Sequence, residues 1–253
     1  MIQQFHSWGT NKRKLMLRND QSCESSTAVW CVEWQPRLVD WVAEQMQSAD
    51  SGHGIDHVRR VVENAKRIGL VEQADANIYL PAAWLHDCVI VPKNSPRRHT
   101  ASALAAQSAE RFLAKIAYPS DWIGPISHCI LAHSFSANVP CETIEAKVVQ
   151  DSDRLEAVGA IGLARCLMTG GAMGQRLYHP SEPFPANRLP ADTEQSVDHF
   201  FAKLLGLQRT MQTESGRDEA RRRSEFLVVF LRQLADEIGA SPSALETALQ
   251  RVV

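Results

Sequence analysis

From Pro36 onward, apolar residues recur at helical spacing. Leu38, Val39, Trp41, Val42 and Met46 form a broad face, and Pro36 sits where a first-turn proline is tolerated. Ser48-Ala49-Asp50-Ser51-Gly52 interrupts the pattern. A second helix is expected over about Ile55 to Ile68, with Val58, Val61, Val62, Ala65 and Ile68 inward, Arg59, Arg60, Glu63 and Lys66 outward, and Gly69 as its stop. A third runs from about Asp75 to Asp87, followed by a proline-bounded loop, Val89 to Arg98. An alanine-rich helix spans about His99 to Ala117, and another runs from Ser120 to His133 with Asp121 near its positive end. Glu142 to about Met168 reads as one long helix or two in tandem, ended by Gly170-Gly171. A proline-rich loop reaches Pro190, and a helix is expected from Asp192 to about Leu207. The last long helix, about Glu214 to Ile238, carries Asp218/Arg222 and Glu219/Arg223 at i,i+4, and Ser241-Pro242 opens a short final one. Val89-Ile90-Val91 is too short for a strand and runs into proline.

This pattern predicts a single all-α domain, a helical bundle over residues 29–253. Residues 1–28 are polar and lack the apolar run of a signal peptide, so a poorly ordered extension is expected there. A length of 253 residues suits one large domain, and no run of 18 apolar residues predicts a membrane span. The net charge of -2 excludes a global basic field for a nucleic-acid polymer; any anion must be held by a local cluster. Cys23, Cys31, Cys88, Cys129, Cys141 and Cys166 show no CxxC pair, which predicts reduced thiols and a cytoplasmic location.

Four stretches carry candidate chemistry. Ala82-Ala83-Trp84-Leu85-His86-Asp87 ends a small-residued helix in an imidazole and a carboxylate, a pairing that suits a divalent transition metal. Alone it is a weak signal and reads first as a helix C-terminus with a dipole-friendly histidine. Gly52-His53-Gly54-Ile55-Asp56-His57 sets His53 and His57 four apart, where they share a face if the helix begins early. His128-Cys129-Ile130-Leu131-Ala132-His133-Ser134-Phe135-Ser136 closes a helix on His133; His128, five residues earlier, reads as a packing or surface residue. Gln150-Asp151-Ser152-Asp153-Arg154-Leu155 puts two carboxylates near the front of an apolar helix, and a capping role explains only one of them.

The order His, His-Asp, Asp over a helical chain resembles the HD-domain superfamily of metal-dependent phosphohydrolases. The likeness covers about residues 36–235. It is closest to small, mostly bacterial HD hydrolases with His-x-x-x-His-Val-x-Arg-Val, Leu-His-Asp, His-Ser-Phe-Ser and Gln-Asp-x-Asp-Arg-Leu followed by Gly-x-x-Gly. Here these are His53 to Val61, Leu85 to Asp87, His133 to Ser136, and Gln150 to Leu155 with Gly159 and Gly162. The resemblance implies an HD-domain bundle with His57, His86, Asp87 and Asp153 as metal ligands. Asp151 rivals Asp153, which is preferred because related proteins place the ligand before a basic-apolar pair, as in Arg154-Leu155. Ser152 and Glu156 stand where the branch often has Ala and Asp.

Manganese is the first metal to try, with nickel, iron, cobalt and magnesium as alternatives. A divalent ion would acidify water and polarise a phosphate oxygen. Lys93, Arg97 and Arg98, directly after His-Asp, are candidate phosphate-binding cations, with a solvated basic loop as the plain alternative. His133 would contact phosphate or a second ion, and His53 and Asp56 would support the ligands or transfer protons. Cys88 reads as packing, and Arg217, Arg221, Arg222 and Arg223 as a salt-bridged face. The expected activity is hydrolysis of a small phosphorylated metabolite, a nucleotide first. Cyclic-nucleotide or alarmone hydrolysis by the same centre, and a non-catalytic HD sensing module, are the alternatives.

Overall fold

The periodicity beginning at Pro36 produces helix α1 (Gln35–Gln45), which buries Leu38 and Val42. It is the first full helix of a computed structural model that describes residues 30, 32–46, 54–91, 95, 97–134 and 137–252. The expected extension over residues 1–28 lies outside the described residues.

Helix α2 (Ile55–Val71) buries His57, Val58, Val61, Val62, Ala65 and Ile68. It runs through Gly69 rather than stopping there. A Cβ at Gly69 would stand 2.5 Å from the Tyr79 ring, so the glycine admits the next helix instead of ending its own. That helix, α3 (Ala76–Leu85), is capped by the Asp75 carboxylate on the Asn77 amide. Tyr79 to Leu85 are all buried, so α3 is apolar all round and takes the centre, packed by α1 and α2 and by three later helices.

Pro81 lies inside α3 and cannot donate to the Asn77 carbonyl. Tyr118 supplies the missing donor: its hydroxyl bonds that carbonyl at 2.6 Å and accepts from Trp30 Nε1 at 3.0 Å.

A 3-10 turn (Arg98–Thr100) leads into α4 (Ala101–Lys115), a shorter helix than the His99–Ala117 expected. Helix α5 (Ser120–His133) matches its expected span. The 142–168 segment splits into α6 (Ile144–Arg154), a 3-10 turn (Leu155–Ala157) and α7 (Gly159–Ala172). The Gly-x-x-Gly pair explains the break. Gly159 has φ +72, a conformation costly for a side-chained residue. A Cβ on Gly162 would fall 2.2 Å from the Ala157 carbonyl carbon, so α7 can fold back this tightly only over glycine.

The helix expected from Asp192 to Leu207 shrinks to α8 (Asp198–Ala202) and a 3-10 stretch (Leu204–Thr210). Residues 194–197 pair instead with 176–177, through Arg176 N to Glu194 O, Ser196 N to Arg176 O and Val197 N to Leu177 O. Buried Asp198 accepts from Arg188 and the Ala191 amide, which holds this loop down. Arg176 and Gln195 form an isolated bridge there; no strand is present among the described residues.

Helix α9 (Glu214–Glu237) forms the Glu219/Arg223 pair at 2.7 Å, but Asp218 pairs with Arg221 and Arg222 with Glu219. Arg223 also reaches Leu155 O and Asn64, so it braces α9 against the interior. Helix α10 (Pro242–Gln250) closes the chain; Ser241 precedes it without a side-chain cap bond. No helix among the described residues is long and apolar enough to cross a membrane.

Candidate metal centre

His86 and His133 are presented by the same local device. Each closes a helix, and each turns Nδ1 onto the carbonyl three residues back: Ala83 at 2.8 Å, Ile130 at 2.6 Å. Those carbonyls lack helical partners at a C-terminus and accept readily. With Nδ1 donating, the lone pair of each neutral ring sits on Nε2. His57 sits on the first turn of α2, where its Nδ1 lies 3.5 Å from the Glu156 carboxylate.

These rings converge. The Nε2 atoms of His57 and His86 lie 3.4 Å apart. Asp153 Oδ1 lies 3.5 Å from His57 Nε2 and 3.9 Å from His86 Nε2, and Asp87 Oδ2 lies 3.8 Å from His86 Nε2. Donor atoms from His57, His86 and Asp87 fall within 4.8 Å of one another. Atoms about 2.0–2.2 Å from a shared ion stand ~3 to ~4 Å apart, which these spacings match. The cluster is also chemically one-sided: two imidazole lone pairs and two carboxylates face each other, and a cation is the group that fits among them. His133 sits at the edge, with Nε2 3.7 Å from Asp87 Oδ1.

Burial opposes charge on Asp87 and Asp153, but the surrounding imidazoles, His86 foremost, outweigh it and hold both carboxyls below their ordinary range. Burial pushes His86 down against the pull of Asp87. In His133 burial acts the same way, but the hydrogen bond to Asp87 prevails and raises it. Burial disfavours ionised Glu156 too, and its bonds to His57 and Arg60 bring it below its ordinary value.

An HD-domain family profile matches residues 54–158, the span from the Gly54 cap of α2 through every member of this cluster. YpgQ of Bacillus subtilis strain 168 is 35% identical over 203 residues, 78% of this chain and 90% of its own length. The chain belongs to the HD superfamily. Solved HD-superfamily relatives share its fold. The crystal structure of B. subtilis YpgQ in complex with ADP matches with a TM-score of 0.62 at 32% identity, over 80% of this chain and 93% of YpgQ. An HD-superfamily hydrolase from Bacillus thuringiensis matches with a TM-score of 0.64 at 30% identity, over 81% and 97%. The protein is therefore an all-α HD-superfamily enzyme of the metal-dependent phosphohydrolase class, within the small bacterial branch.

Within this HD domain, the structure separates the two aspartates of the Gln-Asp-x-Asp run. Asp153 faces the imidazoles. Asp151 is fully buried and accepts from the Gln212 amide at 2.8 Å and from the Thr213 amide and hydroxyl at 2.8 and 2.7 Å. It ties down the start of α9, where a Cβ on Gly216 would meet its Oδ2 at 2.4 Å. Gln150 donates to Ala132 O at 2.8 Å and so fixes α6 against the turn that presents His133.

Other expected site residues lie apart. The Asp56 side chain is 82% exposed, 3.8 Å from Arg59, and does not join the cluster. Arg97 is exposed. His53, Lys93 and the Arg98 side chain lie outside the described residues. Cys88 is buried with its thiol on Ala105 O, and His128 accepts from the Glu142 amide, both packing roles as expected. Sequence reasoning missed Glu156, Arg60 and Asn64. Asn64 donates to Ser152 O and accepts from Arg67 and Arg223. Nothing in local spacing marks its links to Ser152 and Arg223, because those partners lie on other helices.

Proposed function

We propose that His57, His86, Asp87 and Asp153 hold one divalent transition-metal ion, manganese first, and that the enzyme hydrolyses a phosphate bond of a small nucleotide, a nucleoside triphosphate or a relative. The observation that carries this reading is the 3.4 Å approach of the two Nε2 atoms, flanked by the two carboxylates. When bound, such an ion acidifies water and polarises a phosphoryl oxygen. The YpgQ complex with ADP supports a nucleotide ligand.

The chain's own groups then divide the work. Asp87 and Asp153 keep their negative charge at neutral pH, and burial keeps His86 a neutral donor. His133, raised by Asp87, is in its protonated form placed to donate from Nε2 to an incoming phosphate oxygen. Lys93, Arg97 and Arg98 would supply positive charge from the loop that follows Asp87.

A panel of nucleotides with manganese tests the assignment. Turnover is expected to vanish on chelation and in D87A, and turnover surviving both overturns it. Product analysis decides among triphosphate, cyclic-nucleotide and alarmone substrates, since pyrophosphate, phosphate and ring-opened monophosphate are distinct. Bound metal and nucleotide without turnover of any of them would make the centre a sensor.

A further inference from the structure

Behind the His57 ring, on the side away from the other ligands, stands a buried carboxylate. Glu156 Oε2 lies 3.5 Å from His57 Nδ1 and accepts from Arg60 Nε at 2.7 Å. Arg60 follows His57 by three residues on α2, so both side chains share a face. The Glu156 side chain is 2% exposed and that of Arg60 38% exposed, so the row runs from the cluster to solvent. A buried carboxylate is costly unless paired, and these two donors offset that cost. The turn carrying Glu156 is itself held: Arg223 donates to Leu155 O at 2.9 Å and Arg165 to Glu156 O at 3.3 Å.

We propose that Glu156, held by Arg60, is a positioning residue that fixes the His57 ring with its proton on Nδ1 and its lone pair on Nε2 toward the metal cluster. The inference rests on the metal reading above. His86 and His133 obtain the same tautomer from backbone carbonyls at their own helix ends. A carboxylate on the far nitrogen of a ligand histidine fixes its ring and tautomer in the same way. A glutamate here has the length to meet both His57 and Arg60.

The test uses the full chain in two measurements. Electron paramagnetic resonance of free Mn2+ gives the dissociation constant for wild type, H57A, E156A, E156Q and R60Q. Imidazole 15N spectra of the metal-free protein, with the His57 signal assigned from H57A, report its tautomer. E156A is expected to weaken Mn2+ binding by about 10–100-fold and to mix the His57 tautomers. E156Q, isosteric and still able to accept from Nδ1, should fall between, and it carries the test if E156A does not fold. R60Q should weaken binding by a smaller factor. Wild-type affinity together with an unchanged tautomer in E156A and E156Q overturns the proposal. Wild-type affinity in H57A overturns the metal reading instead, and the tautomer spectra then decide the role of Glu156 alone.

Discussion

The Tyr118 hydroxyl donates to the Asn77 carbonyl, the one that Pro81 leaves without its helical amide. A proline in the most buried helix is thus tolerated because a side chain 41 residues away replaces the lost donor. Y118F deletes only that oxygen and strands the half-buried Asn77 carbonyl and the buried Trp30 Nε1. It should lower stability by about 1–3 kcal/mol with the helical circular-dichroism spectrum unchanged, as read by urea denaturation.

The fold-back of α7 over the turn after α6 gives a steric prediction. G162A places a methyl 2.2 Å from backbone at Ala157, which cannot rotate aside as a side chain can. A loss of about 1–3 kcal/mol is expected, more than for G171A, where a Cβ meets nothing within 4 Å. Equal melting temperatures for the two variants would refute the close approach.

Asp151 and Asp153, two residues apart, should fail in opposite ways. D151A strands three donors at the start of α9, so a loss of about 3 kcal/mol or more in thermal or urea melts is expected. D153A should cost less than D151A in the metal-free melt while abolishing metal binding. A D151A protein of unchanged stability, or a D153A protein with full metal affinity, would reverse the assignment.

Glu219 gives a pH dependence outside the centre. Burial opposes its charge, but Arg222 and Arg223 prevail and hold its folded value below the ordinary 4.5. A lowered folded value means stability present above pH 4.5 and lost as pH falls through the folded value. Wild type should therefore lose stability below about pH 4.5, and E219Q should lose less over the same interval, measured by urea midpoints at each pH. Parallel curves would show that the Arg222 and Arg223 contacts do not operate in solution.

Cys129 is fully buried, and burial pushes its thiol up to about 12. Mass spectrometry after iodoacetamide at pH 8 should find Cys129 unmodified in the native protein and alkylated in urea. Rapid native modification would mean that α5 opens readily.

Helices with a local signal were legible from the chain alone. α5 has its acidic first turn and closing histidine, α9 its long amphipathic face, and each was placed to within a residue. The misreadings share one cause. Gly69 reads as a stop and Asp192 as a helix start, but the Tyr79 ring and the Arg188–Asp198 pair decide otherwise, and both act through space. At the centre, the pattern singles out His57, His86, Asp87 and the Asp151/Asp153 pair, and only the family resemblance, not the residues themselves, prefers Asp153. Neighbouring carboxylates on one helix turn look alike until what each faces is known.

Helical periodicity, the placement of prolines and the adjacent His-Asp pair are properties of nearby residues, so the chain by itself determined an all-α bundle and the types of ligand it could offer. Which carboxylate faces the imidazoles and what holds the far nitrogen of His57 depend on contacts between segments up to about a hundred residues apart. Such contacts form only when the helices pack, because a side chain's partner is set by distance in space and not by position in the chain.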